Sequence, residues 1–100
     1  MSADLEKELL DANEHLGKAI QALPQNEKDL VSKLYGDVAE FATQQEIKGI
    51  VVDRGAFFAA GIIFHQDLNN EALIHAAVSY IEKDWLFVKE KREDAAQTAS

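Results

Sequence analysis

Two histidines and two acids lie close together in the sequence and are the side chains best suited to chemistry. They are His65, Asp67, Glu71 and His75. The last three are spaced four residues apart, and on a helix residues with that spacing lie on nearly the same line. Carboxylate and imidazole groups along one line are potential metal ligands. The pattern therefore raises the hypothesis of a metal- or small-ligand-binding helical bundle.

The same spacing also weakens that hypothesis. Helical di-metal bundles place Glu and His three residues apart and repeat the pair on a second helix. Here the spacing is four and the pattern occurs once. Asp67 and Glu71 are explained more simply as acids that favour the amino end of a following helix. We therefore predict no metal ion and no cofactor, and we keep the metal site as the alternative.

No other motif indicates catalysis. The chain contains no cysteine, which excludes thiolate nucleophiles, zinc-thiolate sites and disulfides. Its serines lie in no nucleophile elbow. Gly49, Gly55 and Gly61 recur every six residues, which matches no phosphate-binding loop or dinucleotide fingerprint. We predict that the protein is not an enzyme.

The charge distribution argues against two classes of partner. The formal net charge is −8, and residues 1–46 hold ten acids against four lysines. Such a surface repels nucleic-acid phosphates and anionic lipid headgroups, so neither is an expected partner. A basic protein is the partner that it favours. The acidic amino terminus lacks the basic, apolar start of a secretory signal. With the absence of cysteine, this predicts a cytoplasmic protein.

Three segments show the apolar periodicity of amphipathic helices. They predict helices at 3–23, 26–45 and 70–91, with a break at Pro24 between the first two. One hundred residues suffice for one hydrophobic core, so we expect residues 1–91 to form a single domain. The mixed charges and small polar residues of 92–100 predict a disordered tail.

A long, mostly apolar stretch occupies residues 46–64, and after Lys48 its only charged residues are Asp53 and Arg54. The runs on either side are too short to cross a bilayer, which takes about 20 residues, so we expect no membrane span. A β-hairpin over 47–64 is an alternative, because the stretch is rich in β-branched residues around a turn-forming glycine. The alanines and the lack of alternation in its second half favour a helix instead.

Such a helix is apolar on most sides and belongs in the middle of a bundle. We therefore predict an all-α fold, an antiparallel four-helix bundle with a central apolar helix. The alternative is an α+β fold with a hairpin at 47–64.

One turn of the last predicted helix suggests a binding surface. Trp85, Leu86 and Phe87 place large apolar groups on every side of that turn, and a single face cannot bury them all. Either the first loop covers them, or they are exposed in a monomer and covered by a partner or a second copy.

We predict a non-catalytic protein that binds another protein through Trp85, Leu86 and Phe87 as apolar anchors. Acids of the first two helices would give selectivity for a basic partner. A structural homodimer joined through the last helix is a further alternative. By size and architecture alone, small helical bacteriocin immunity proteins, secretion chaperones and phage-encoded inhibitors are comparable. An immunity-type or inhibitor protein is the specific expectation.

Overall fold

The computed structural model describes residues 2–99, with side chains over residues 4–96. It contains four α-helices: α1 (Ser2–Gln21), α2 (Gln25–Ile47), α3 (Arg54–Phe64) and α4 (Glu71–Ala99). No strand occurs within residues 2–99. The predicted all-α four-helix class is confirmed, and the alternative hairpin over 47–64 is wrong. That the helices run antiparallel stays a prediction.

A glycine turn divides the apolar stretch over which we predicted one helix, residues 46–64. Gly49 adopts a φ of 86°, a left-handed conformation that glycine tolerates without steric cost. Its backbone N–H donates to the Glu46 carbonyl, and the Ile50 N–H donates to the Gln45 carbonyl, both at 3.0 Å. These two bonds form a Schellman motif, which ends α2. The apolar helix therefore begins only at α3.

An aspartate cap starts α3. The Asp53 carboxylate accepts a hydrogen bond of 3.0 Å from the backbone N–H of Ala56, as an N-cap residue does. Arg54, the next residue, donates to the carboxylate of Glu46 near the end of α2. The segment between α2 and α3 is therefore held by the turn at Gly49, by the Asp53 cap and by the ion pair between Arg54 and Glu46.

Helix α4 packs against both α1 and α3, and α3 also packs against α2. By contrast, α1 and α2 make little contact with each other although a short turn joins them. The apolar helix α3 therefore lies between α2 and α4. The core cluster of buried side chains comprises Leu16, Leu23, Val31, Ala59, Ile62, Leu68, Leu73, Ala76 and Ala77.

The molecule is elongated. Its radius of gyration is 15.0 Å, whereas about 13 Å is typical of a compact domain of this length. Helix α4 is longer than predicted, since it continues to Ala99 through a segment for which we predicted a disordered tail, residues 92–100. Ser100 lies outside the described residues. None of the helices within residues 2–99 is both long and apolar enough to cross a lipid bilayer.

Replacing a core side chain should cost far more stability than replacing an exposed one. Leu73 is fully buried, and we expect Leu73→Ala to lower the free energy of unfolding by about 2–5 kcal/mol through lost burial and a residual cavity. Val51 is 93% exposed, and Val51→Ala should change the free energy of unfolding by less than about 0.5 kcal/mol. Urea unfolding followed by circular dichroism measures both. Equal losses of unfolding free energy in the two variants would contradict the assignment of Leu73 to the core.

Candidate functional site

The predicted metal ligands lie around the connection between α3 and α4. Asp67 is in the loop and not on the helix, so no single helical line joins it to Glu71 and His75. The Asp67 backbone N–H donates to Nδ1 of His65 at 3.0 Å, which occupies one ring nitrogen of that histidine. His75 is exposed. Over the part of the chain that the structure describes, no three His, Asp or Glu side chains are grouped to hold a metal ion.

The predicted partner-binding residues do not share one surface. Trp85 and Leu86 are exposed on α4, whereas Phe87 is half-buried. Successive residues of a helix point about 100° apart, so Phe87 lies on the opposite side of α4 from Trp85. The Nζ of Lys89 lies 5.2 Å from the centroid of the Trp85 ring, within cation–π distance. A binding role for these residues stays a prediction.

Trp85 and Leu86 belong to a larger apolar surface on the outer side of α4. With Val78 and Ile81 they form what we call the α4 patch. A shallow depression of about 370 Å³ is lined by Ile81, Glu82, Trp85 and Leu86. Their spacing of one, three and four residues places them on adjacent turns, as in helices that dock on a partner by one apolar face. The geometry suits contact with another protein.

A pair of acids outside the predicted site residues joins α3 to α4. Asp84 is 8% exposed and hydrogen-bonds with Asp53, the N-cap of α3. Burial is the main cause that raises the pKa of Asp84 from 3.8 to about 7, and the hydrogen bond and negative charge of Asp53 add to it. Below that pH the Asp84 carboxyl is protonated and donates its hydrogen to Asp53.

A glycine allows the two helices to approach closely beside this pair. A Cβ atom on Gly55 would lie 2.1 Å from the hydroxyl oxygen of Tyr80, so a larger residue would displace the tyrosine. Burial raises the pKa of Tyr80, and the neighbouring acids Asp84 and Asp53 raise it further. Asp84 is buried, whereas Asp53 is exposed at the amino end of α3. We assign the pair a structural role, holding the amino end of α3 on α4.

One sequence signal points to this pair. Asp84 follows Ala77 by seven residues and Tyr80 by four, which places an acid on the inward face of α4. A buried acid requires a partner or a proton. The sequence does not say which residue supplies the partner, because Asp53 belongs to another helix.

Stability should fall as the pH rises through the pKa of Asp84. The folded state holds this proton more tightly than the unfolded chain, so the stabilisation is complete below about pH 4 and is lost as the pH passes about 7. We expect the wild type to lose on the order of 2 kcal/mol of unfolding free energy between pH 5 and pH 8. Asp84→Asn keeps a donor to Asp53 and should lose most of this dependence.

Urea unfolding at several pH values measures the effect. Glu82→Gln, which removes an exposed acid two residues earlier in α4, is the matched control and should retain the wild-type dependence. If the free energy of unfolding changed with pH equally in the wild type and in Asp84→Asn, the pairing of Asp84 with Asp53 would be contradicted.

The contact between Gly55 and Tyr80 gives a second test. Gly55→Ala should destabilise the protein by about 1–3 kcal/mol, because the added methyl group displaces Tyr80. Gly36→Ala is the control: no atom lies within 4 Å of its added Cβ, and alanine is the better helix former, so it should stabilise by about 0.5–1 kcal/mol. Thermal unfolding distinguishes the two, and stabilisation by both variants would show that the helices are not in close contact at Gly55.

Comparison with known proteins finds no relative of this chain. No protein-family model, no curated protein sequence and no solved structure matches it.

Proposed function

We propose that the protein is a non-catalytic binding protein of the cytoplasm that uses the α4 patch to hold a basic protein partner. The observation that carries the proposal is the exposure of Trp85, which is 59% accessible at the centre of a long helix. Tryptophan is one of the residue types that are enriched among the energetically dominant residues of protein interfaces. Leu86 and Val78 are exposed beside Trp85.

The total surface supports a partner. The accessible surface is 6941 Å², whereas a folded monomer of 11.1 kDa has about 5,700 Å². The excess is larger than the roughly 800 Å² that each partner contributes to a standard interface. Part of the excess comes from the projecting end of α4, and part from the exposed apolar side chains.

The charge supports a partner of opposite sign. A second copy of the chain would also carry a net charge of −8 and would be repelled. A basic protein would be attracted by the acids of α1 and α2, which increases the association rate and the selectivity. The α4 patch would then supply most of the affinity, because the apolar anchors lie there.

This mode of action is that of proteins that neutralise or escort another protein. By size and helical architecture, an immunity-type or inhibitor protein is the specific form of the proposal, with a secretion chaperone as the related form. Phe87, the third residue that we predicted as an anchor, is half-buried and lies on the side of α4 opposite Trp85, so the proposal depends on Trp85 and Leu86.

The proposal predicts a partner whose affinity depends on Trp85. The full chain is used to capture proteins from a lysate of its source, each captured protein is identified, and binding is measured again with purified components. We expect a basic partner and a 1:1 complex, with affinity that falls as salt is added. Trp85→Ala should weaken binding by at least about 30-fold, corresponding to about 2 kcal/mol.

Phe64→Ala is the matched control. Phe64 is another exposed aromatic residue, 83% accessible, at the end of α3 and outside the α4 patch, and its loss should leave the affinity within twofold. A partner that binds Trp85→Ala as tightly as the wild type would refute the proposal. Light scattering that shows a homodimer of the wild type and a monomer of Trp85→Ala would replace it with the homodimer alternative.

A further inference from the structure

A second concave site lies where α1 and α2 make little contact. It is a cavity of about 310 Å³, to which all four helices contribute. Its walls include Leu16, Gly17 and Ile20 of α1, Tyr35 of α2, Phe58 of α3 and Tyr80 of α4. Small-molecule sites in proteins have volumes from about 300 Å³ upwards and mainly apolar walls, so the cavity is at the small end of that range.

Aromatic rings shape this cavity. The rings of Tyr35 and Phe58 pack edge to face, with centroids 5.4 Å apart and an interplanar angle of 85°. This is a favourable arrangement for aromatic pairs, and it joins α2 to α3 at the cavity wall. A further ring can stack or pack edge-on against such walls. The polar groups of Tyr35 and Tyr80 offer hydrogen bonds at the edges of the apolar surface.

The charges around the cavity select against an ionic ligand. Arg54 is the charged residue among those that line the cavity, and its guanidinium is paired with the Glu46 carboxylate. The Glu46 carboxylate offsets the positive charge that would attract an anionic ligand, and a cationic ligand would meet no carboxylate among the lining residues. Burying an unpaired charge is costly.

We propose that the cavity between α1, α2 and α3 binds a small, uncharged molecule that contains an aromatic ring and one hydrogen-bonding group. This site shares no residue with the α4 patch, so the proposal does not depend on the proposed protein partner. Its ligand is recognised by apolar contact with Leu16, Ile20 and Phe58, and is oriented by a tyrosine hydroxyl.

Two glycines provide a matched pair of variants. A Cβ on Gly17 meets no atom within 4 Å, and Gly17 lines the cavity, so we expect a larger side chain there to occupy the cavity. Gly36 on α2 has equally open surroundings but is not among the lining residues. Gly17→Leu therefore fills the cavity, whereas Gly36→Leu makes the same chemical change outside it. Both replace a helical glycine by a better helix former, so both should fold.

The test uses indole as the probe, with benzoate and benzylamine as charged molecules of similar size. Titration of the isotopically labelled full chain, followed by amide chemical shifts, should give an indole dissociation constant on the order of 1 mM or tighter, with shifts centred on Gly17, Tyr35 and Gly55. Benzoate and benzylamine should bind at least tenfold more weakly. Gly17→Leu should weaken indole binding at least tenfold, and Gly36→Leu should leave it within twofold.

Tyr35→Leu is a second variant, which removes an exposed ring and hydroxyl from the wall and should weaken indole binding at least threefold while the chain stays folded. The proposal is overturned if indole causes no saturable shifts, if Gly17→Leu binds it as the wild type does, or if either charged compound binds more tightly than indole. Shifts confined to residues around Trp85 would also overturn it.

Discussion

The close attachment of the amino end of α3 to α4 is the constraint on which the rest of the structure depends. It consists of the hydrogen bond between Asp53 and Asp84 and the contact of Gly55 with Tyr80. Since α3 is short, one fixed end and the burial of Ile62 determine its position. Helix α2 then packs on α3 and lies away from α1, which leaves the cavity between them.

The same attachment determines which surface stays free. Helix α4 uses its inner side for both α1 and α3, and no helix of the chain covers the outer side, where Trp85 is exposed. A four-helix protein in which each helix met two neighbours around a common axis would be more compact and would bury more of its apolar side chains. The two concave sites thus have one origin, an incomplete closure of the bundle.

The helical class and three of the four helices were predictable from the sequence, because the apolar residues repeat with the helical period over several turns. The boundary between α2 and α3 was also encoded locally. Gly49 followed by the apolar Ile50 is a helix-ending signal, and Asp53 is a good N-cap residue. The apolar continuity of residues 46–64 predicts a single helix there, but the turn at Gly49 and the cap at Asp53 divide the stretch. One face of a helix cannot bury three consecutive large side chains, and of these three Trp85 and Leu86 are exposed and Phe87 is half-buried.

By itself, then, the amino-acid sequence determined the helices, the absence of thiol chemistry and the acidic charge, since each depends on residue type and short-range spacing. Only the tertiary structure decided that Asp84 meets Asp53, that His65, Asp67, Glu71 and His75 form no metal cluster, and that a cavity opens between α1 and α2. These features depend on distances between helices. Side-chain packing determines those distances, and no periodicity within one segment specifies them.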